Sequence, residues 1–210
     1  MNNWMKEHWN RIYKLRKIDK LGWYEEKPTP SLNMLSKCNI KKDEPILDVG
    51  CGATTLIDYL IEQGFKNIIA VDISEIALNK LKERLREKAS LVKFIVDDIT
   101  QPTQINNMGN ITVWHDRACL HFLLEETQRY AYLTTLKKVV KKGGYVIIAT
   151  FSLKGAKRCS GLDVKRYDQN MLAEFLGNDF ELLKYFEYMY SMPSGEIRPY
   201  IYTLFQRKKL

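Results

Sequence analysis

The residues best suited to chemistry in this 210-residue chain are carboxylates and glycines at the ends of apolar runs. Asp48-Val49-Gly50-Cys51-Gly52 follows Ile46-Leu47 and leads into Ala53-Thr54-Thr55-Leu56. Glycines at 50 and 52 permit a tight strand-to-helix turn and let a ligand approach the backbone with no Cβ between. The next apolar run ends in Val71-Asp72-Ile73. Asp72 lies near the roughly 20-residue offset at which a carboxylate accepts hydrogen bonds from ribose hydroxyls. Together these features indicate a nucleoside ligand. Thr55 stands where a pyrophosphate-binding G-x-G-x-x-G would carry its last glycine, which favours a cofactor without phosphates over a dinucleotide.

Two further segments carry chemistry. The third apolar run ends in Val96-Asp97-Asp98-Ile99, where a carboxylate can accept from an exocyclic amine and an isoleucine can pack on a ring; Asp97 is the register alternative to Asp98. The fourth ends in Trp114-His115-Asp116-Arg117, followed by Ala118-Cys119-Leu120-His121-Phe122-Leu123. His121 and His115 could serve as a base, since imidazole titrates near neutrality. His121, with Leu120, Phe122 and Leu123 around it, is equally readable as a buried structural histidine. Asp116 and Arg117 could pair with each other, or Arg117 could hold a carboxylate bidentately.

These residues need a scaffold, and the apolar pattern supplies one. Strands are expected near Ile46–Val49, Asn67–Asp72, Leu91–Val96 and Ile111–His115, with helices over Thr54–Gln63, Glu75–Lys88 and Glu125–Lys142. The last helix is expected to end at Gly143-Gly144, ahead of a buried strand Tyr145–Phe151. A polar loop (Ser152 to Arg166) and a short helix around Gln169–Leu176 follow. Phe180–Tyr190 and Ile197–Gln206, around Pro193-Ser194-Gly195, read as a hairpin. Alternating strands and helices imply a parallel α/β sheet with helices on both faces, here finished by antiparallel strands. In such a sheet ligands bind beyond the carboxyl ends of the strands, where every residue named above falls. Before the first strand, Met5, Trp9, Ile12 and Tyr13 share one helical face, and Thr29-Pro30 opens a second helix. The partition is an N-terminal helical extension or lid over residues 1–42 and one α/β domain over 43–210.

Composition excludes several classes. At 45% hydrophobic and 28% charged residues the chain is neither disordered nor fibrous. No apolar run approaches a membrane span and no signal-peptide pattern opens the chain, so a cytoplasmic location is expected. The four cysteines, Cys38, Cys51, Cys119 and Cys159, form no C-x-x-C pair, so no metal site is expected. The net charge of +8 is largely explained by solvated helix faces and does not select a partner.

The motifs resemble a known family. Asp48-Val49-Gly50-Cys51-Gly52 is similar to motif I of class I S-adenosylmethionine-dependent methyltransferases, and a parallel sheet closed by an antiparallel hairpin is that family's topology. Asp116-Arg117-Ala118-x-x-His121-Phe122-Leu123 resembles a signature of a bacterial group distantly similar to thiopurine and tellurite-resistance methyltransferases, as do Gly22-Trp23-Tyr24-Glu25 and Cys159-Ser160-Gly161-Leu162. Tyr190-Ser191-Met192-Pro193 departs from that group's His-x-Thr-Pro. The resemblance implies a Rossmann-like, seven-stranded, mostly parallel sheet. It further implies S-adenosylmethionine as cofactor, S-adenosylhomocysteine as product, and direct in-line methyl transfer. The residues it assigns to the cofactor are Tyr24, Asp48, Gly50, Cys51, Gly52, Asp72, Ile73, Asp98, Ile99, Trp114, Asp116 and Arg117. A small-molecule acceptor is the first expectation, because no recognition domain is appended. Protein lysine methylation is the alternative, and a catalytically silent nucleotide-binding module is the reading from another class. A nucleic-acid acceptor is disfavoured by the lack of an Asn/Asp-Pro-Pro-Tyr/Phe motif after the fourth strand.

Overall fold

The computed structural model describes residues Asn3–Lys209. Among these, seven strands form one sheet: β1 (Ile46–Val49), β2 (Ile68–Asp72), β3 (Val92–Val96), β4 (Ile111–Arg117), β5 (Val140–Phe151) and, after a two-stranded hairpin of β6 (Arg158–Cys159) and β7 (Leu162–Asp163), β8 (Phe180–Ser191) and β9 (Ile197–Arg207). The order is β3-β2-β1-β4-β5-β9-β8. Pairings are parallel from β3 to β5, and β9 joins β5 and β8 antiparallel. Order reverses between β1 and β4, and a switch point of this kind leaves a crevice at the carboxyl edge. The expected fold class is therefore the one observed.

Strands covered on both faces are apolar throughout but divide their residues by parity. Ile46, Ala70, Val113 and Ile147 join one core with Leu56, Leu60 and Leu81 from α3 (Leu56–Glu62) and α4 (Glu75–Leu85), and with Met34 from α2 (Thr29–Leu35). Leu47, Val71, Trp114 and Ile148 join the other with Leu136 from α5 (Glu126–Val139) and Leu172 from α6 (Gln169–Leu176). No helix among the described residues is long and apolar enough to cross a membrane.

Two elements differ from expectation. Helix α5 ends at Val139 and passes directly into β5, ahead of the glycine pair. Val139 and Val140 are buried, β-branched residues suited to a sheet, and Val140 pairs with Ile111. Gly143, at φ +77°, and Gly144 instead serve a register shift between β4 and β5, where a Cβ on Gly144 would stand 2.9 Å from the Lys141 carbonyl. The supposed loop after β5 contains the β6–β7 hairpin, turned by Ser160 and Gly161 with φ of +51° and +82°.

The chain before β1 lies against the carboxyl edge. Helix α1 (Asn3–Leu15) is held to α4, because Ser74 Oγ donates to Asn10 Oδ1 at 2.7 Å while accepting from the Ala77 amide as the N-cap of α4. Between α1 and α2, Thr55 Oγ1 donates to the Glu25 carbonyl and Tyr190 Oη to the Tyr24 carbonyl.

Candidate functional site

The turn after β1 is set by backbone geometry. Gly50 and Gly52 hold φ of +63° and +58°, a region that L side chains rarely enter. A Cβ on Gly50 would come within 2.7 Å of Cys119 Cβ, and one on Gly52 within 2.1 Å of Tyr13 Oη. These glycines thus admit two neighbours, the turn after β4 and helix α1, against the loop.

Around this turn the carboxyl edge opens into two adjoining cavities. The larger, about 950 Å³, is lined by Gly50, Asp72, Ile73, Asp97, Asp98, Ile99 and Thr100 at one end, and by Trp9, Trp23, Arg117, Phe122, Cys159 and Tyr200 at the other. The smaller, about 490 Å³, is lined by Trp23, Tyr24, Glu25, Asp48, Gly50, Cys51, His115 and Arg117 among others. Gly50, Trp23 and Arg117 belong to both.

Asp72 braces the glycine turn: Oδ2 accepts from the Gly52 amide and Oδ1 from the Ser74 amide, each at 2.7 Å. Burial pushes its carboxyl up to about 6, against the pull of those amides. Each oxygen can accept one further bond. At the end of β3 the two aspartates differ. Asp97 accepts from the amides of Thr103, Gln104 and Ile105, which outweigh its burial and hold it below the usual carboxylate range. It thereby organises the following loop. Asp98 accepts from Thr100 through Oδ1.

In the smaller cavity, Asp48 Oδ1 lies 2.7 Å from His115 Nδ1, and His115 Nε2 lies 2.9 Å from Ser31 Oγ. Both imidazole nitrogens are therefore engaged. Arg117 Nε lies 3.1 Å from Glu25 Oε2 and donates to Tyr202 Oη at 3.0 Å, and Nη1 donates to the Trp23 carbonyl. Its guanidinium carbon sits 5.1 and 5.2 Å from the ring centroids of Tyr190 and Tyr200. Burial raises the carboxyl of Glu25, against the opposing pull of Arg117. Among the described residues, Glu25 Oε1, Asp48 Oδ2 and Arg117 Nη2 are buried without a hydrogen-bond partner.

Most residues singled out from the sequence meet at this edge: Tyr24, Asp48, Gly50, Cys51, Asp72, Ile73, Asp98, Ile99 and Arg117 all line a cavity. Gly52 shapes it by donating to Asp72 and seating Tyr13. Trp114 and Asp116 depart from the expectation. Trp114 points into the α5-side core, where Nε1 donates to Tyr132 Oη at 2.9 Å; Tyr132 in turn donates to Asp116 Oδ2 at 2.8 Å. Asp116 also accepts from the Cys119 and Leu120 amides, and so fixes the turn rather than pairing with Arg117. Burial pushes its carboxyl up to about 6. His121 lines neither cavity; it is buried against Phe122 and Phe151, and burial, followed by the Arg117 charge, pushes its imidazole down to about 3. Both its nitrogens lack a partner among the described residues.

Glu25, Tyr13, Trp9 and Trp23 were absent from the sequence reading of the site. The Gly22-Trp23-Tyr24-Glu25 segment was legible as a motif, but only the fold brings Glu25 to Arg117.

Comparison with known proteins places this geometry. A family model described as a methyltransferase domain matches residues 40–190. The eEF1A lysine and N-terminal methyltransferase of Bos taurus is 29% identical over 100 residues, 45% of this chain and 13% of that protein. EEF1A lysine methyltransferase 2 of Mus musculus is 27% identical over 158 residues, 69% of this chain and 64% of that protein. The chain thus spans less than two thirds of either relative. Among solved structures, a SAM-dependent methyltransferase from Anabaena variabilis superposes with a TM-score of 0.78 at 15% identity, covering 98% of this chain and 94% of that one. The Burkholderia thailandensis 1,6-didemethyltoxoflavin-N1-methyltransferase, with bound 1,6-didemethyltoxoflavin and S-adenosylhomocysteine, does so at 0.68 and 17% identity, covering 98% and 85%. At such identities these structures establish a shared fold.

Proposed function

The chain belongs to the methyltransferase-domain family, and from that premise we propose that it transfers the methyl group of S-adenosylmethionine to a small-molecule acceptor bound in the larger cavity. The observation that carries this reading is the set of unpartnered buried atoms Glu25 Oε1, Asp48 Oδ2 and Arg117 Nη2 on residues of the smaller cavity. Two acceptors and one donor complement an α-ammonium and an α-carboxylate. Buried polar groups without partners are costly, so a zwitterion that satisfies all three is favoured there.

The remaining residues fit the rest of the cofactor. Asp72, with acceptor capacity left on both oxygens, suits ribose hydroxyls; Asp98 suits an exocyclic amine, and Ile73 and Ile99 suit the adenine faces. Tyr24 and Cys51 line the end assigned to the amino acid moiety. When bound, the cofactor supplies an electrophilic methyl group on a sulfonium sulfur. The chain's own part is to orient donor and acceptor in line and to exclude water. Residues 1–42 serve as a cover in this reading, with Met5, Trp9 and Tyr13 of α1 lining the larger cavity.

Neither histidine suits the role of base for an acceptor in the larger cavity. His115 lines the smaller cavity with both nitrogens engaged, and His121 lines neither. We assign His115 to holding Asp48 and His121 to the core. The second reading is methylation of a protein lysine, supported by the names of the curated relatives; the small-molecule reading has support in the small ligand of the Burkholderia structure. Calorimetry with S-adenosylmethionine, S-adenosylhomocysteine and NAD tests the cofactor assignment. Binding of the first two without NAD is expected, and binding of NAD alone would overturn it.

A further inference from the structure

Asp48 and Arg117, whose free atoms are assigned above to the ammonium and the carboxylate of the cofactor, are joined through other side chains. Asp48 Oδ1 lies 2.7 Å from His115 Nδ1, and His115 Nε2 lies 2.9 Å from Ser31 Oγ. Ser31 is in turn hydrogen-bonded to Tyr202, whose Oη accepts from Arg117 Nε at 3.0 Å. These side chains come from β1, β4, α2 and β9 and form one unbroken line. Asp48, His115, Ser31 and Tyr202 are all buried, so the protons of the line need acceptors within it.

One direction satisfies every group while Asp48 stays ionised. Arginine only donates, so Arg117 Nε–H makes Tyr202 Oη an acceptor. The Tyr202 hydroxyl then gives its proton to Ser31 Oγ, and Ser31 gives its own to His115 Nε2. His115 carries its proton on Nδ1, toward Asp48. The reverse direction would aim both Arg117 and Ser31 at Tyr202 Oη and send the Tyr202 proton outside the line. It would also set a bare Nδ1 against a carboxylate oxygen, unless the imidazole took a second proton. Ser31, His115 and Asp48 follow one another as in a nucleophilic triad, but Ser31 lines neither cavity, which leaves its hydroxyl a positioning task.

Building on the methyl-transfer reading above, we propose that Ser31 and Tyr202 are positioning residues for the cofactor. With His115 they hold Asp48 and Arg117 in one directed chain of hydrogen bonds, which leaves Asp48 Oδ2 and Arg117 Nη2 for the ammonium and the carboxylate. A hydroxyl that accepts one bond while donating another is polarised, so the bonds of such a chain strengthen one another. A break at Ser31 or Tyr202 loosens both ends. Through Ser31, helix α2 becomes a component of the cofactor site.

Nitrogen-15 NMR on the ligand-free chain, with His115 assigned through its backbone resonances, reads the direction near neutral pH. The proton is expected on Nδ1, with Nε2 bare; a proton on Nε2, alone or together with one on Nδ1, would overturn the inference. Calorimetry with S-adenosylhomocysteine reads the positioning. Ser31→Ala, and Tyr202→Phe, which keeps the ring that stacks on Phe186, are each expected to weaken binding by about three- to tenfold. The double variant should lose little more than the weaker-binding single one, because both cut the same chain. The His115 nitrogen shifts should also change in Ser31→Ala, a response that lost packing alone would not give. Unchanged affinity in both variants, or losses that multiply in full, would overturn the inference. Should Ser31→Ala fail to fold, the wild-type tautomer and the Tyr202→Phe affinity still decide. Failure of S-adenosylhomocysteine to bind the wild-type chain would instead overturn the methyl-transfer reading, which the ligand-free tautomer does not depend on.

Discussion

Asp72 has two tasks, and both rest on the two oxygens of one carboxylate. Its carboxylate holds the Gly52 and Ser74 amides, and its remaining lone pairs face the cavity assigned to the nucleoside. Asp72→Ala is expected to weaken S-adenosylhomocysteine binding by roughly ten- to a hundredfold, the equivalent of about 1.5–3 kcal/mol for hydrogen bonds to a charged group; unchanged affinity in calorimetry would remove the ribose assignment. The carboxyl also sets a pH dependence. Burial raises it to about 6, so it gains a proton as pH falls through that value and can then accept less well from ribose hydroxyls. Affinity should therefore fall below about pH 6 in the wild type and lose that dependence in Asp72→Asn. The same elevation has the opposite sign for folding. A buried carboxyl titrating above its unfolded value of 3.8 favours the native state while protonated, and that contribution is lost as pH rises through about 6.

At the scale of elements, the junction of α1 with the glycine turn is the tightest contact of the site. Gly52→Ala would combine a disfavoured φ of +58° with a Cβ only 2.1 Å from Tyr13 Oη. A loss of about 1–3 kcal/mol in unfolding free energy is expected, through backbone strain and displacement of α1. Tyr13→Phe in the same chain should recover part of it by removing the colliding oxygen, so a double-mutant cycle reads the coupling; strictly additive effects would show that α1 does not press on the turn. Strand β4 is tied to α5 by the Trp114–Tyr132–Asp116 chain. Tyr132→Phe leaves the Trp114 indole N–H without its buried partner, and denaturant unfolding should report a loss of about 1–3 kcal/mol.

For the molecule as a whole, a ligand that fills both cavities bridges α1, the segment before α2, and the ends of β1 to β4. Such a ligand binds the native state alone and stabilises it by mass action. At a hundredfold excess over its dissociation constant, S-adenosylhomocysteine should add about 2.7 kcal/mol, seen as a rise in Tm, with NAD giving none. A rise with NAD of the same size would show that the edge accepts dinucleotides despite Thr55.

The sequence by itself determined the sheet, its helices on both faces, the glycine turn and the aspartates at the strand ends. Each of these rests on local constraints: period-two burial in strands, positive φ at Gly50 and Gly52, and the position of a residue just past an apolar run. It left α5 too long, because a glycine pair can end a helix or serve a bulge, and only the pairing of Val140 with Ile111 decides between them. Tertiary structure alone decided which neighbours of β4 reach the cavities. Trp114 follows the strand's alternation into the core, Asp116 is claimed by Tyr132 and two amides, and Arg117 stands at the edge. It also brought Glu25 and Tyr13 to the site from the chain before β1. Those contacts join segments far apart in sequence, so no local periodicity can encode them; they exist only once the sheet has fixed where its carboxyl edge lies.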